Sequence, residues 1–184
     1  MARRLSRGAT LSAAVCGAAL LCLELPARAG DPPDTAELRQ LYSASTLAAG
    51  RCEFSDCLHN GWTSHGAKGD IKSRCDFGDC LGNGWTTSLP GGNPAHTRCH
   101  FGDCMAEGWT TDYPGGGHSE TSCHFGKCWK DGWTTRHPDG TASESRCDFS
   151  NCAENGWETR LPDGSSVHCS CRFKDCRKNG ADCG

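Results

Sequence analysis

Six pairs of cysteines, with the two members of each pair five residues apart, are the residues of this chain whose type and spacing could do chemistry. Every pair has the pattern Cys-x-Phe-x-x-Cys. The pairs are Cys52 with Cys57, Cys75 with Cys80, Cys99 with Cys104, Cys123 with Cys128, Cys147 with Cys152, and Cys171 with Cys176. Two more cysteines, Cys169 and Cys183, lie on either side of the last pair. Thiols at this density either form disulfides in an oxidising compartment or bind a metal ion.

The spacing predicts that the chain bends between the two cysteines of a pair. On one straight strand their Cα atoms would be about 16–17 Å apart, whereas a disulfide requires about 7 Å or less. The pair Gly78-Asp79 inside the second unit favours a turn, and most other units carry a related pair. We therefore predict one bridge within each unit and a seventh between Cys169 and Cys183. Bridges between neighbouring units remain an alternative, because cysteine order does not fix connectivity.

Metal binding is the main alternative for the same cysteines. His100 and His124 each follow the first cysteine of a pair directly. Two adjacent units could supply thiolate and imidazole ligands to zinc or copper. The Cys-x4-Cys spacing is not the usual short zinc spacing, so we predict no cofactor and keep zinc or copper as the alternative.

Tryptophan recurs at one position of the unit, directly after a glycine. The residues are Trp62, Trp85, Trp109, Trp133 and Trp157. A residue at a fixed site in successive units is typical of a packing ladder, although exposed rings could stack on sugars and bind a glycan. Trp129 and Tyr113 fall outside this recurring position, and we treat them as candidate binding residues.

The chain is not predicted to be an enzyme, and no catalytic residue is assigned. Serine, histidine and aspartate are present, but none forms a recognisable nucleophile motif, and the Cys-x-x-Cys redox spacing is absent. Catalysis usually needs one differentiated pocket, whereas this sequence repeats one unit with modest variation.

Repetition organises the chain from residue 52 onwards. The units are residues 52–74, 75–98, 99–122, 123–146, 147–170 and a truncated 171–184. An Asn-Gly or Asp-Gly pair precedes most of the recurring tryptophans and favours a tight hairpin turn, and a proline turn follows later in most units. We predict an all-β, disulfide-rich fold in which ~24-residue β-hairpin repeats form an elongated antiparallel meander or solenoid. Equivalent Phe and Trp side chains would form ladders, and the sixth unit would be a cap.

The spacing and turns of the unit resemble those of MORN repeats. Cysteine replaces the aromatic-glycine pattern of that family here, so neither membership nor function is carried over.

The composition explains why disulfides would be needed. Residues 30–184 contain only 15 Leu, Ile, Val and Phe residues out of 155, which is about 10%. Chains below about 20% tend to be disordered, because hydrophobic burial cannot offset the loss of chain entropy. Fourteen cysteines lie in the same segment. Each bridge can contribute about 2–4 kcal/mol by constraining the unfolded chain.

The N-terminus predicts export. Residues 1–29 have a basic head, an apolar run and an Ala-Arg-Ala site, which together indicate a secretory signal peptide cleaved after Ala29. The apolar run is too short for a permanent membrane span, so no transmembrane segment is predicted. Residues 30–51 are predicted to be a linker with a short helix, because Leu38, Leu41 and Tyr42 have helical spacing.

The charge excludes one class of partner. Residues 30–184 carry 15 basic and 21 acidic side chains, a net charge of −6 that argues against nucleic-acid binding. The predicted location is secreted, periplasmic or at the cell surface. The predicted function is a structural or binding scaffold without catalysis, whose partner would be a protein or a glycan at the cell envelope.

Overall fold

The computed structural model describes residues 46–66, 68–90 and 92–184. Contacts divide the chain into residues 1–32 and 33–184, and every described residue belongs to the second unit. The signal peptide predicted at residues 1–29 lies outside the described residues. The helix predicted from Leu38, Leu41 and Tyr42 lies outside them as well.

The described residues form one antiparallel sheet of twelve strands in chain order, each paired with the next. The strands are β1 (Arg51–Cys52), β2 (Trp62–Gly66), β3 (Gly69–Cys75), β4 (Trp85–Ser88), β5 (Ala95–Cys99), β6 (Trp109–Asp112), β7 (His118–Cys123), β8 (Trp133–Arg136), β9 (Ala142–Cys147), β10 (Trp157–Arg160), β11 (Ser166–Cys171) and β12 (Ala181–Cys183). The predicted all-β meander of hairpin repeats is confirmed.

The connection inside each hairpin is longer than the two-residue turn that the Asn-Gly pairs predicted. A three-residue 3₁₀ turn follows the first cysteine at Glu53–Ser55, Asp76–Gly78, His100–Gly102, His124–Gly126, Asp148–Ser150 and Arg172–Lys174. In five units a one-turn helix then begins at the second cysteine: α1 (Cys57–Asn60), α2 (Cys104–Glu107), α3 (Cys128–Asp131), α4 (Cys152–Asn155) and α5 (Cys176–Asn179).

The Asn-Gly pair ends this helical turn instead of reversing the chain between two strands. In the first unit, one Asp56 carboxylate oxygen accepts hydrogen bonds from the backbone N–H groups of Leu58 and His59, which starts the turn. Gly61 ends it by donating its N–H to the Cys57 carbonyl at 3.1 Å. The capping side chain therefore favours a helical turn where the dipeptide alone favours a hairpin.

The sheet is nearly closed and barrel-like, not straight. Trp85 pairs with Cys75 on one side and with Thr97, two residues before the next first cysteine, on the other. The register therefore shifts by two residues per unit, as the tilted strands of a closing sheet require. At the junction, the Ala181 N–H donates to the Gly50 carbonyl at 2.9 Å, and an isolated bridge joins Arg51 to Gly180.

Both ends of the described chain take part in this junction. The sixth unit, predicted as a cap, pairs with the segment that precedes the first unit. Residues 46–51, the end of the predicted linker, contribute to the core: Leu47, Ala48 and Ala49 are buried in the same cluster as Ala181, which stands where the other units have tryptophan.

The buried face of the sheet carries the tryptophan ladder. The five repeat tryptophans are 0–4% exposed, and neighbouring ring centroids lie 5.4–6.3 Å apart in tilted or edge contacts. Such spacing lies within the favourable range for aromatic pairs. The ladder expected of tryptophan is therefore present.

Hydroxyl pairs lie beside the ladder. Each pair joins the two strands on either side of a loop that contains a cysteine pair. The buried pairs are Ser73–Thr87, Thr97–Thr111, Thr121–Thr135 and Ser145–Thr159, with oxygens 2.7–2.8 Å apart. All have a sequence separation of 14, which is also the separation of the bonded Cys169 and Cys183. The last disulfide thus takes the position that a hydroxyl pair holds elsewhere.

Candidate interaction surface

All fourteen cysteines of the described residues are in disulfides. Six bridges join the two cysteines of a pair, with Cα atoms 4.5–4.6 Å apart, and the seventh joins Cys169 to Cys183. This is the pairing within units that the spacing favoured, and none joins one pair to another. Each short bridge pins the four residues between its cysteines into a compact loop.

The loop gives its phenylalanine an unusual backbone conformation. The six residues Phe54, Phe77, Phe101, Phe125, Phe149 and Phe173 have φ between 48° and 52°. Positive φ is rare for a bulky side chain and costs roughly 1–2 kcal/mol per residue. The residue that follows also has positive φ, for example Gly78 and Ser150. The tight bend that lets the cysteines meet is therefore built on a strained phenylalanine.

These six phenylalanines are the large apolar side chains that the fold leaves in solvent. Each is 89–97% exposed. Within the described residues the ring contacts join tryptophans, and none involves a phenylalanine. The expected phenylalanine ladder is therefore wrong, because the left-handed bend takes the side chain away from the sheet instead of laying it along the sheet surface.

All six phenylalanines lie in loops at the same end of the strands. In a meander, alternate connections lie at opposite ends of the strands, and every phenylalanine lies in the connection between an odd-numbered strand and the next. The proline turns lie at the other end of the strands. The loops at the first end carry Phe54, Phe77, Phe101, Phe125, Phe149 and Phe173, and we call this end of the sheet the phenylalanine edge.

A second set of apolar side chains lies on this edge between the phenylalanines and the core. Leu58, Leu81, Met105 and Trp129 follow the second cysteine in successive units. They are half-buried and pack against the buried cluster. Trp129 contacts Trp157 with ring centroids 6.3 Å apart. Trp129 thus fills a regular repeat position and lies on the candidate surface, partly covered.

Tyr113 lies at the opposite edge. It occupies the position four residues after the repeat tryptophan, where other units have Leu89, His137 and Leu161. The Tyr113 hydroxyl lies 3.0 Å from the Ser119 hydroxyl, and the side chain is half-buried. The structure does not bring Tyr113 and Trp129 together.

His100 and His124 brace the loops of the phenylalanine edge. The Nδ1 atom of His100 lies 3.1 Å from the Glu107 carbonyl, and Nε2 lies 2.8 Å from the Thr110 hydroxyl. A carbonyl only accepts, so Nδ1 carries a proton and donates it to the Glu107 carbonyl. His124 makes the same two contacts, at 3.0 and 2.9 Å, with Asp131 and Thr134.

In the first and second units the equivalent position holds a carboxylate that makes the same contact with the strand hydroxyl. Asp76 accepts a hydrogen bond from the Thr86 hydroxyl at 3.0 Å, and Glu53 accepts one from Thr63 at 2.8 Å. The residue after the first cysteine differs between units, and in these units its side chain links the loop to the neighbouring strand through a hydrogen bond. The described part of the chain holds no group of three or more His, Cys, Asp and Glu placed to share a metal ion.

The glycan alternative through arrayed tryptophans is wrong for the repeat positions. The rings of Trp62, Trp85, Trp109, Trp133 and Trp157 are buried against one another and present no face to a sugar. The regular spacing that suggested a binding array is the spacing of the core.

Charge is unevenly distributed along the phenylalanine edge. The loop of the sixth unit carries Lys174, Arg177 and Lys178, all exposed. The loop of the third unit, on the far side of the closed sheet, carries exposed Asp103 and Glu107. The loop of the fourth unit, next to the third, carries exposed Lys127 and Lys130. The edge therefore combines an apolar set of side chains with basic loops in the fourth and sixth units and an acidic loop in the third.

Sequence reasoning missed the phenylalanines as candidate surface residues. The signal was present in the turn-forming residues beside each phenylalanine, because a large apolar residue inside a tight bend between bridged cysteines has little core to reach.

Comparison with protein-family models, curated proteins and solved structures finds no match to this chain. None of the helices in residues 46–184 that the structure describes is long and apolar enough to cross a membrane.

Proposed function

We propose that this protein is an exported, disulfide-stapled scaffold that binds its partner through the phenylalanine edge. The observation that supports this proposal is that six phenylalanines, each 89–97% exposed to solvent, lie at one end of the same sheet. Exposed apolar surface concentrated on one side of a soluble protein marks an interaction site, and aromatic side chains dominate binding energy at interfaces.

The backbone strain supports binding over mere tolerance of apolar residues. Asn or Gly at these six positions would relieve the positive φ, and neither would leave a cavity, since the phenylalanine side chains contact so little. The phenylalanines therefore add nothing to the fold that offsets their cost. A strained, exposed aromatic residue is the expected form of a binding residue held in place by its surroundings.

The scaffold beneath the edge is suited to holding such residues in fixed positions. Each loop is closed by a disulfide, and neighbouring loops are linked by main-chain bonds: the Cys80 N–H donates to the Leu58 carbonyl at 2.9 Å, and the Cys104 N–H donates to the Leu81 carbonyl at 2.9 Å. Preorganised side chains lose little entropy on binding. The role is therefore binding without catalysis.

Export is part of the same proposal. Seven disulfides persist only where the compartment is oxidising, and the predicted signal peptide would direct the chain there. The full-length chain, expressed with its own N-terminus in a bacterial host, should be recovered from the periplasm or medium beginning at Gly30. Its intact mass should rise by alkylation of fourteen thiols only after reduction. Recovery of uncleaved, reduced protein from the cytoplasm would contradict export.

The binding role is tested with the oxidised chain of residues 30–184 and an apolar probe. The wild-type chain should be retained on a phenyl-substituted resin and should enhance the fluorescence of anilinonaphthalene sulfonate in its folded state. A variant with all six phenylalanines changed to asparagine should lose both signals. A control with three exposed arginines on the sheet surface changed to serine, Arg98, Arg136 and Arg160, should keep them. Equal retention of the six-site variant and the wild type would refute the proposal.

A further inference from the structure

We propose that the partner of the phenylalanine edge is a second copy of this chain. The phenylalanine loops of the two copies face each other about a two-fold axis. This inference rests on the proposed function and names its occupant. Three features of the described residues support it: the spacing of the phenylalanines, the apolar area they expose, and the distribution of charge between the sixth and third units.

The spacing of the phenylalanines leaves room for one aromatic ring between neighbours. Equivalent residues of adjacent units are two strands apart, which places their backbones about 10 Å apart. Aromatic rings attract one another at centroid distances of about 4.5–7 Å. Neighbouring phenylalanines are thus too far apart to stack within one molecule. A ring inserted midway would lie about 5 Å from each of them.

A second copy supplies such rings with the matching repeat. Because the sheet is nearly closed and the junction between the chain ends keeps the register of the internal junctions, its six phenylalanines form a nearly cyclic set with a constant step. Two such sets facing each other, rotated by half a unit, interdigitate at all six positions together. A linear peptide or a flat surface does not provide a cyclic set of rings with this step.

The area is sufficient for a stable pair. A buried phenylalanine removes about 150–250 Å² from solvent, so six of them at the observed exposure offer about 1,000 Å² per copy. A stable interface of standard size buries about 800 Å² per partner. The half-buried Leu58, Leu81, Met105 and Trp129 add apolar surface to the same edge.

Charge favours a two-fold arrangement. In an isologous pair, each contact occurs twice, so a basic sector that meets the partner's acidic sector does so at both ends. Lys174, Arg177 and Lys178 of one copy can face Asp103 and Glu107 of the other, and the reverse. The sixth and third units lie three units apart in the nearly closed sheet. With the half-unit rotation, each basic loop of the sixth unit therefore lies within half a unit of the partner's acidic loop, and this holds at both ends of the pair.

The experiment measures molar mass by sedimentation equilibrium of oxidised residues 30–184 from 1 to 500 µM. The wild type should change from monomer to dimer. Phe101→Asn should raise the dissociation constant at least about tenfold, because one substitution removes two contacts in a two-fold pair. Charge reversal by Lys174→Glu, Arg177→Glu and Lys178→Glu should weaken the pair similarly, and adding Asp103→Lys with Glu107→Lys should restore it.

The contact face is identified by ¹⁹F NMR of the chain labelled with 4-fluorophenylalanine. All six phenylalanines are on the edge, so their resonances should shift with concentration over the range in which the mass doubles. A dimer whose fluorine signals do not shift uses another face and overturns the inference.

Two other outcomes separate this inference from the proposed function. A chain that stays monomeric at 500 µM but binds the apolar probe through its phenylalanines overturns the self-pairing and leaves the binding role standing. The same holds for a monomer that co-sediments with phosphatidylcholine vesicles, which would make a lipid surface the partner. A monomer that binds neither probe nor vesicles overturns both proposals.

Discussion

Gly180 lies against Gly50 so closely that a Cβ on Gly180 would be 1.8 Å from the Gly50 carbonyl oxygen. The same contact recurs at every junction between units: a Cβ on Gly84 would lie 2.0 Å from the Thr97 carbonyl. Gly50 and Thr97 each stand two residues before the first cysteine of a unit. The junction between the chain ends therefore follows the rule of the internal junctions, which is why the sheet closes.

Substituting Gly180 tests this closure. Gly180→Ala should lower the free energy of unfolding by more than about 1 kcal/mol, because the methyl group meets backbone and φ is 77°. Gly84→Ala should cost a similar amount. Gly115→Ala is the control, since Gly115 has open space around it and an ordinary φ. Urea unfolding of the oxidised proteins measures all three. If Gly180→Ala behaves like the control, the first and last units are not joined in solution.

The buried hydroxyl pairs predict an asymmetry between single and double substitutions. Thr97→Val removes one partner of the 2.8 Å contact with Thr111 and should cost about 1–3 kcal/mol, because a buried hydroxyl loses its partner. The double variant Thr97→Val with Thr111→Val should recover most of the loss. Ser64→Ala should be neutral or stabilising. The Ser64 hydroxyl is buried without a partner, because Gly50 stands where other units have Ser or Thr. A large loss for Ser64→Ala would contradict this account.

The seventh disulfide should be replaceable by the hydroxyl pair of its neighbours. Changing both Cys169 and Cys183 to threonine removes a bridge that closes a loop of about 15 residues, a loss of about 3 kcal/mol in the chain-entropy model. The new pair should offset about 1 kcal/mol of it. The variant should therefore fold with six bridges and a reduced midpoint of urea unfolding. Scrambled pairing in its peptide map would show that this bridge guides the others.

Acid should weaken the fold through His137. The side chain is 6% exposed, its Nε2 lies 3.1 Å from the Ser143 hydroxyl, and Nδ1 is buried without a partner. Burial lowers the pKa of His137, although Asp139 partly opposes the shift. The unfolded chain therefore binds a proton first as pH falls below about 6.5. The contribution of His137 to the free energy of unfolding is complete above that pH. Below it, the contribution falls by up to about 1.4 kcal/mol for each pH unit.

The measurement for His137 compares urea unfolding at pH 7.5 and pH 5.0. His137→Leu places at this position the residue that Leu89 and Leu161 provide in other units, and should remove that part of the acid loss. His118→Leu, at an exposed site, is the control and should leave the loss in place. Equal acid loss in His137→Leu and wild type would assign the effect to other groups.

The sequence predicted the hairpin repeat and the bridges, because these depend on residues close together in the chain. It did not carry closure, which depends on Gly50 matching a repeat position outside the first recognised unit. Trp129 and Tyr113 looked irregular only because the repeat was aligned on its identical residues. Aligned by position, they replace Leu81 and Leu89. Leu81 and Trp129 pack against the core, and Leu161, at the position of Tyr113, is buried in it. For the phenylalanines, apolar character predicts burial, whereas a bend with positive φ overrides that tendency.

The phenylalanine edge predicts a gain of stability where binding is lost. Phe101→Asn should raise the free energy of unfolding by up to about 1 kcal/mol, because asparagine tolerates φ near 49° and the phenylalanine side chain is 96% exposed. Leu81→Asn is the matched control on the same edge. Leu81 packs on the core, so this change should destabilise. Urea unfolding should be run below 1 µM, where self-pairing would not add to the wild-type value. A lower stability of Phe101→Asn under these conditions would mean that Phe101 supports the fold of the single chain, and the argument that its strain serves binding would fail.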